Sequence, residues 1–133
     1  MREIKFRIWD ENCEEWLNQD EHVIYADNGD VGEYDDDELV ESIVHNTVVE
    51  QFTGLHDKNG QEIYEGDIMK CVARGSNDIF IMKVAYFNDC AMFCVHSNSH
   101  QRRGLSVAFY ESEVIGNIHE NKELLEKNNE KLR

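Results

Sequence analysis

Short apolar segments follow one another through the second half of the chain, and they constrain the fold more than any other feature of the sequence. They read DIMKCVA, DIFIMKVAYF, CAMFCVH, LSVAFY and SEVIGNI between residues 67 and 118, and Gly, Asn, Asp and Ser separate them. Runs of this length, rich in β-branched and aromatic residues, are typical of strands. Five short strands in about fifty residues predict a small meandering sheet that curls into a barrel.

The N-terminal segment REIKFRIW alternates apolar and charged side chains, with Ile4, Phe6 and Ile8 on one side. This alternation is typical of a half-buried strand, and residues 10–12 supply a turn after it. A second short strand over residues 15–18 completes the predicted hairpin.

The next stretch combines a hairpin signal with a helical one. HVIYADNGDVGEY contains the pair Asn28-Gly29, which tolerates positive φ at both centres of a type I′ turn. EYDDDELVESIVHN then begins with acids and continues with apolar residues at helical spacing, namely Leu39, Val40, Ile43 and Val44. An Asp cap and carboxylates in the first turn favour a short mid-chain helix. The β-branched SIVHNTVVEQF also permits a strand, so the boundary near Asn46 stays open.

The chain end ENKELLEKNNEKLR predicts a helix over about 121–131, capped by Asn121. The 133 residues suffice for one core and are too few for two independent domains. We therefore expect one unit over 1–133, with an N-terminal lobe over about 1–50 and a barrel lobe over about 51–119. The fold class is mainly β (α+β): a small partly open β-barrel with an N-terminal β-hairpin lobe, a short mid-chain helix and a C-terminal helix.

The formal net charge of −15 limits the partners of the protein. Such a charge repels phosphate backbones and anionic lipid, so nucleic acid is an unlikely partner and neutral or basic proteins are favoured. No stretch approaches the roughly 20 apolar residues of a membrane span, and the charged N-terminus is unlike a signal peptide. We therefore expect a cytosolic protein with free thiols at Cys13, Cys71, Cys90 and Cys94.

The passage TGLHDKNGQEIYEGDIMK invites a calcium-loop interpretation, because it contains several oxygen ligands and a glycine. The register of such a loop fails. With Gly60 as its obligatory glycine, the first ligand position holds Leu55; with Asp57 as first ligand, the glycine position holds Glu62. We therefore predict no calcium site here.

Turn chemistry explains the same passage better. Asp57 and Gly60 suit the first and fourth positions of a type I turn, or Asn59 and Gly60 suit the centre of a primed turn. Gly66 and Asp67 then supply a second bend before the next strand. We predict that these five residues are structural turn residues, and that the glycines are needed for backbone reasons.

The metal candidates are Cys90, Cys94, His96 and His100, which are residue types that zinc accepts. If CAMFCVH is a strand, Cys90 and Cys94 lie about 13 Å apart at roughly 3.3 Å per residue, too far to share a metal. Cys94 and His96 lie about 7 Å apart on one face, too far for a thiol activated by a histidine. We predict no metal and no cofactor.

Two further sets of polar residues carry no catalytic pattern. Ser97, Ser99 and Ser106 belong to no nucleophile elbow. The acidic stretch could pair carboxylates or bind a divalent ion, yet such runs are usually solvated. Its members are Asp27, Asp30, Glu33, Asp35, Asp36, Asp37 and Glu38.

Four residues remain as binding candidates. Arg102 and Arg103 form a small basic loop, which is either a solvated hairpin tip or a contact for an acidic partner or a few phosphates. Trp9 and Trp16 flank the first turn, where they either pack in the core or form an aromatic interface patch. For the two arginines we favour the solvated hairpin tip, and for the two tryptophans we favour packing in the core.

Three segments, REIKFRIWD, TGLHDKNGQEIYEGDI and VIGNIHENKELL, resemble the YopX family of proteins from phages and prophages of Gram-positive bacteria. Their order and spacing agree with the family. The resemblance implies a phage-derived, largely β protein with a barrel-like part, and it names no catalytic residue. Lys122 stands where family members carry proline, and residues 27–38 have no counterpart in the family pattern.

These observations lead us to expect a non-enzymatic accessory protein of the bacterial host cytosol, a binding module that contacts another protein and forms a homo-oligomer. The alternative is a nucleic-acid-associated or DNA-mimicking regulatory factor that touches phosphates through Arg102 and Arg103. The sequence contains no pattern of an enzyme.

Overall fold

The computed structural model describes residues 2–35, 38–73, 75–97, 102–105 and 109–126, and it describes side chains in these ranges except at 35, 38–42, 109 and 110. The chain divides into two compact units, Lys5–Gln51 and Met1–Ile4 with Phe52–Arg133. The strands are β1 (Phe6–Asp10), β2 (Glu15–Trp16), β3 (His22–Ile24), β4 (Val31–Asp35), β5 (Glu38–Val44), β6 (Thr47–His56), β7 (Glu62–Tyr64), β8 (Asp67–Ala73), β9 (Ile79–Phe87), β10 (Met92–His96), β11 (Arg103–Gly104) and β12 (Phe109–Asn117).

The predicted N-terminal hairpin is confirmed in the unit Lys5–Gln51. β1 pairs with β2 in antiparallel register, and Trp9 lies opposite Trp16. The side chain of Asp10 closes the turn between them, because its Oδ1 accepts the backbone N–H groups of Asn12 and Cys13 at 2.9 and 3.3 Å. On its other side β1 pairs with the first half of β6, from Asp10 opposite Thr47 onward.

The second hairpin joins β3 to β4, but its turn is not of type I′. The backbone N–H of Tyr25 donates to the carbonyl of Asp30, and that of Gly29 donates to the carbonyl of Tyr25, both at 2.8 Å. Gly29 has φ 79°, whereas Asn28 is not among the residues with positive φ. The loop between Tyr25 and Asp30 is longer than a two-residue turn and needs only one left-handed residue near its end.

The predicted mid-chain helix is wrong, because this segment forms β5. β5 pairs with β4, with Leu39 opposite Tyr34 and Val44 opposite Val31, and the two strands and β3 make a three-stranded antiparallel sheet. The apolar spacing fits a helix, but the β-branched Val and Ile residues also fit a pleated surface, and pairing with β4 decides between them. The boundary near Asn46 is a turn in which Asn46 has φ 57°.

The second unit contains a five-stranded antiparallel sheet in the order β11-β10-β9-β8-β12, curled as a half-barrel. The predicted mainly β fold with a partly open barrel is therefore confirmed. One detail differs, because the segments LSVAFY and SEVIGNI do not form two strands. Their described residues from Phe109 to Asn117 belong to the single strand β12, which is irregular between Phe109 and Glu111.

Alternate residues of the half-barrel sheet build its core. Met69 and Cys71 of β8, Met82 and Val84 of β9 and Val95 of β10 are almost completely buried. Side chains one position away point to the opposite face of the sheet, as the period of two requires. The core cluster also contains Ile63 and Leu105, and Phe80, Phe93 and Val114 pack against it.

The C-terminal helix begins as predicted, with helical residues 123–126 in the described part of the chain, and its predicted continuation to 131 lies outside the described residues. The side chain of Asn121 turns back to β12, where its Oδ1 accepts the backbone N–H of Asn117 at 3.2 Å. A Cβ on Gly116 would lie 2.6 Å from this oxygen, so the close approach requires glycine. Within the described ranges, no helix has the length and apolar character needed to cross a bilayer.

Replacing a core residue of β9 should cost far more stability than replacing an exposed residue of the same strand. Met82→Ala leaves a cavity in the half-barrel core and should lower the free energy of unfolding by about 2–5 kcal/mol. Ile79 is 51% exposed, so Ile79→Ala should cost about 1 kcal/mol or less. Urea unfolding measures both, and equal losses would contradict the assignment of the two faces.

Candidate functional site

The DKNG passage forms the tight turn between β6 and β7. The backbone N–H of Gly60 donates to the carbonyl of Asp57 at 3.0 Å, and the N–H of Asp57 donates to the carbonyl of Gln61 at 2.8 Å. Gly60 has φ 81°, whereas Asn59 is not among the positive-φ residues. The geometry is therefore a type I turn with Asp first and glycine fourth, followed by a return to strand pairing.

The carboxylate of Asp57 is buried and is occupied by backbone groups. Its Oδ1 accepts the N–H groups of Asn59 and Gln61, both at 2.9 Å. Its Oδ2 accepts the N–H of Val114, which is 57 residues away, at 2.9 Å. Burial raises the pKa of Asp57. The hydrogen bonds from Val114, Gln61 and Asn59 and the charge of Lys58 lower it by a larger amount, so the pKa lies below its usual value.

This turn covers the outer edge of β12. β12 pairs with β8 on one side, and on the other the N–H of Lys58 donates to the carbonyl of Ser112 at 3.0 Å. The Lys58 Nζ lies 2.6 Å from a carboxylate oxygen of Glu111 and 3.8 Å from one of Glu113. An uncovered edge strand can pair with other chains, so the turn removes one route to aggregation.

The second bend joins the turn region to the half-barrel. Gly66 has φ 82°, its N–H donates to the carbonyl of Val84, and its carbonyl accepts the N–H of Ile118, both at 2.8 Å. The buried Asp67 accepts the backbone N–H of Tyr64 at 2.8 Å through its Oδ2. The carboxylates of Asp57 and Asp67 thus bind backbone N–H groups of this region.

Arg102 lies at the end of the hairpin formed by β9 and β10. Its guanidinium makes a two-pronged ion pair with Asp89, with distances of 2.6 and 2.5 Å, and these hydrogen bonds lower the pKa of Asp89. The Arg102 Cζ also lies 4.7 Å from the ring centroid of Phe87, whose ring contacts that of His96 at 5.1 Å. The neighbouring Arg103 is exposed and donates from Nη1 to the carbonyl of Arg102 at 3.1 Å.

Cys90 does not lie on the strand that the sequence predicts, because β10 begins at Met92 and Cys90 lies in the loop before it. The pKa of the buried Cys94 thiol is raised, first by burial and then by Cys90. Burial and then Lys83 lower the pKa of His96.

The structure describes only some of the other candidate ligands and nucleophiles. In the part of the chain that the structure describes, no three His, Cys, Asp or Glu side chains are placed to hold a metal ion. His100, Ser99 and Ser106 lie outside the described residues. The hydroxyl of Ser97 is buried and has no hydrogen-bond partner among the described atoms.

The two tryptophans pack on each other across β1 and β2. Their ring centroids are 4.9 Å apart at an interplanar angle of 70°, and Trp9 is buried. The Arg7 Cζ lies 4.4 Å from the Trp16 ring centroid, and the Arg7 Nε donates to Glu50 at 3.0 Å. This places the pair in the packing of the unit Lys5–Gln51. Arg7 and Glu50 are not recognisable as partners from the sequence, because their pairing depends on β6 lying beside β1.

The acidic stretch remains dispersed where it is described. Asp27, Asp30 and Glu33 are exposed. Asp36 and Asp37 lie outside the described residues, and so do the side chains of Asp35 and Glu38.

The fold and the occupied turn residues define a small, mainly β protein with a half-barrel sheet and a turn-covered edge strand. The family described as YopX protein matches residues 5–126, and the chain belongs to the YopX family, as the sequence resemblance predicted. Protein EF1440 from Enterococcus faecalis has a similar structure, with 26% identity, a TM-score of 0.63, and coverage of 94% of this chain and 99% of that chain.

Protein yopX from Bacillus subtilis is also similar in structure, with a TM-score of 0.64 over 94% of this chain and 99% of that chain. The two sequences are 24% identical, so this likeness concerns the fold alone. Among curated proteins, none matches the chain in sequence.

Removing the charge of Asp57 should destabilise the fold in a pH-dependent way. Asp57→Asn replaces one of the two accepting oxygens by an NH₂ group, which cannot accept a backbone N–H. At least one hydrogen bond is lost, at a cost of about 1–3 kcal/mol in the free energy of unfolding near pH 7. The folded-state pKa is below the unfolded value of about 3.9, so the carboxylate stabilises the fold above that value and this contribution disappears as the pH falls through the folded-state pKa.

Urea unfolding of the wild-type protein and of Asp57→Asn at pH 7 and at pH 3 tests this linkage. The difference between them should shrink at the lower pH. The exposed Asp27→Asn is the matched control, for which we expect little change at either pH. An undiminished difference at pH 3 would show that the ionised carboxylate is not the stabilising group.

Proposed function

We propose that this chain is a phage or prophage accessory protein that works in the bacterial cytosol by binding another protein and catalyses no reaction itself. The resemblance of three sequence segments to phage and prophage proteins supports the origin. The turn residues that could have carried chemistry supply backbone contacts instead, which supports a binding role. The observation that carries the proposal is the exposed end of the β9–β10 hairpin.

The exposed side chains at the hairpin end are Tyr86 on one side of the sheet and Met92 with Arg102 on the other, and we call the three together the hairpin-end surface. Tyr86 is 45% exposed and Met92 is 41% exposed, although both belong to paired strands. Met92 lies opposite Phe87, and Arg102 covers the Phe87 ring, so these side chains meet on one side of the hairpin end, while Tyr86 points to the other. Tyr, Met and Arg are enriched where proteins contact one another.

The charge of the protein indicates the chemistry of its partner. At −15, the protein repels acidic surfaces and attracts basic ones over a distance set by the ionic strength. On the hairpin-end surface, the charge of Arg102 is neutralised by Asp89. The surface therefore suits a partner with apolar side chains at its centre and neutral or basic residues around them.

The alternative, contact with nucleic acid, receives less support from the same residues. A phosphate would have to compete with the carboxylate of Asp89, which already accepts hydrogen bonds from Nη1 and Nη2 of the Arg102 guanidinium. Arg103 is exposed, but it contributes one positive charge to a protein whose formal net charge is −15. We therefore retain nucleic-acid binding as an outcome to be tested.

Loss of a captured partner on changing the hairpin-end surface tests the protein-binding proposal. The wild-type protein, the double variant Tyr86→Ala/Met92→Ala and the control Ile79→Ala serve as baits in a bacterial host lysate, with an unrelated protein of equal negative charge as background. The Ile79 side chain has similar exposure on the same sheet. We expect a protein captured above background by wild type and control, and at least about tenfold weaker binding of the purified partner to the double variant.

Three results would overturn the proposal. One is a captured protein that binds the double variant as tightly as the wild type. Another is a shift of DNA or RNA that weakens steeply with salt and disappears in Arg102→Ala/Arg103→Ala. The third is turnover on a hydrolase or nuclease substrate that one side-chain substitution abolishes.

We also propose that the protein self-associates as a homo-oligomer, through faces and not through the edges of the five-stranded sheet. One edge of the five-stranded sheet is covered by the Asp57 turn, and the other is the two-residue strand β11. Like charges on two copies oppose association, and the distance over which they repel falls from about 30 Å at 0.01 M salt to about 3 Å at 1 M salt. Sedimentation equilibrium should therefore give a larger mass at 0.5 M salt than at low salt. A monomer at every salt concentration would contradict self-association.

A further inference from the structure

Met92 differs sharply from the other methionines whose side chains the structure describes. Its side chain is 41% exposed, whereas Met69 and Met82 lie in the half-barrel core at 0% and 1%. The difference follows from the end of the sheet at which Met92 lies. In the described part of the chain β11 pairs with β10 at Cys94 and Val95 alone, so no described strand flanks Met92 on that side.

The thioether of Met92 belongs to the hairpin-end surface. Met92 lies opposite Phe87, on the same face of the hairpin. The Arg102 Cζ lies 4.7 Å from the centroid of the Phe87 ring, and Asp89 holds the Arg102 guanidinium by two hydrogen bonds. Met92 therefore presents apolar surface beside an ion pair whose two charges balance. A polar group added at its sulfur changes what a partner meets and leaves the buried packing in place.

We propose that Met92 is a modification site at which peroxides form methionine sulfoxide, and that this change weakens partner binding through the hairpin-end surface. The Met92 sulfur attacks one oxygen of hydrogen peroxide, an S–O bond forms and the O–O bond breaks. The other oxygen leaves as water with both hydrogen atoms. The sulfur loses two electrons, and the peroxide gains them. The weakening of binding rests on the function proposed above, whereas the modification itself does not.

The chemistry of the product explains the expected effect. Oxidation converts a flexible apolar side chain into a polar one, which disrupts interfaces that use methionine, and methionine sulfoxide reductases reverse it. Peroxide reaches the two core methionines only when the sheet opens, so they should react at least about a hundredfold more slowly than Met92. Because Met92 is exposed, protein oxidised there should unfold at the temperature of the untreated protein.

Peptide mapping of the full-length protein after treatment with hydrogen peroxide tests the site. A thiol reductant and alkylation before digestion remove reversible oxidation at Cys90 and Cys94, which share a tryptic peptide with Met92. We expect one added oxygen atom, which fragmentation of this peptide places on Met92, while the two core methionines stay unmodified. Met1 lies in another peptide and does not enter this comparison.

Binding of the captured partner tests the effect of the modification. The oxidised wild type should bind at least about tenfold more weakly than the untreated protein, and methionine sulfoxide reductase should restore binding. Met92→Leu is the matched control, because leucine is apolar, has a similar volume and is not oxidised by peroxide. This variant should bind equally well before and after peroxide treatment, which separates Met92 from lesions elsewhere in the chain.

The contradicting results separate the two parts of the proposal. Oxidation of Met92 no faster than that of the core methionines would overturn the site. Unchanged binding by the fully oxidised wild type, or an equal loss of binding by peroxide-treated Met92→Leu, would overturn its effect on the partner. If the wild type captures no protein, or if Tyr86→Ala/Met92→Ala binds as tightly as the wild type, the proposed function fails, and peptide mapping still decides the modification site.

Discussion

One buried carboxylate, that of Asp57, connects the turn between β6 and β7 to the strand β12. Asp57 accepts two N–H groups within its own turn and a third from Val114 on β12, so a single side chain shapes a turn and fastens it to a distant strand. The three hydrogen bonds and the charge of Lys58 together outweigh the cost of burying the carboxylate, so the pKa of Asp57 is lowered. The passage that most resembles a ligand-binding loop is therefore a structural clamp.

The clamp determines which surfaces remain available for contacts. An open five-stranded sheet has two edges, and here a turn covers β12 while β11 is too short to guide another strand. Partners are thus directed to side chains on the faces and at hairpin ends. Tyr86, Met92 and Arg102 meet this condition.

Local patterns in the sequence were enough to predict β8, β9, β10 and most of β12, and also the first hairpin, because alternation and turn residues are properties of neighbouring positions. They missed β11, which falls in the predicted basic loop. They were not enough where long-range pairing decides. β5 has the apolar spacing of a helix, and only its partner β4 makes it a strand. The hydrogen bond from Val114 to Asp57 spans 57 positions, and no local sequence pattern predicts it.

The candidate site was predicted less well than the fold, for a similar reason. Placing Cys90 on a strand was wrong, because β10 begins at Met92 and the hairpin loop ends two residues later than the apolar run suggests. Arg102 was recognised as a binding candidate, but its pairing with Asp89 across the hairpin end was not visible. The family was recognised from motifs, and the family match over residues 5–126 agrees with that recognition.

Amide hydrogen exchange at Val114 tests the clamp most directly. In the wild-type protein, the Val114 N–H donates to Asp57, and it should exchange slowly. In Asp57→Asn at neutral pH, it should exchange about tenfold faster or more, which corresponds to about 1.4 kcal/mol, while the amide of Gly66, bonded to Val84, should change much less. Equal exchange of Val114 in both proteins would contradict the claim that this carboxylate holds the turn on β12.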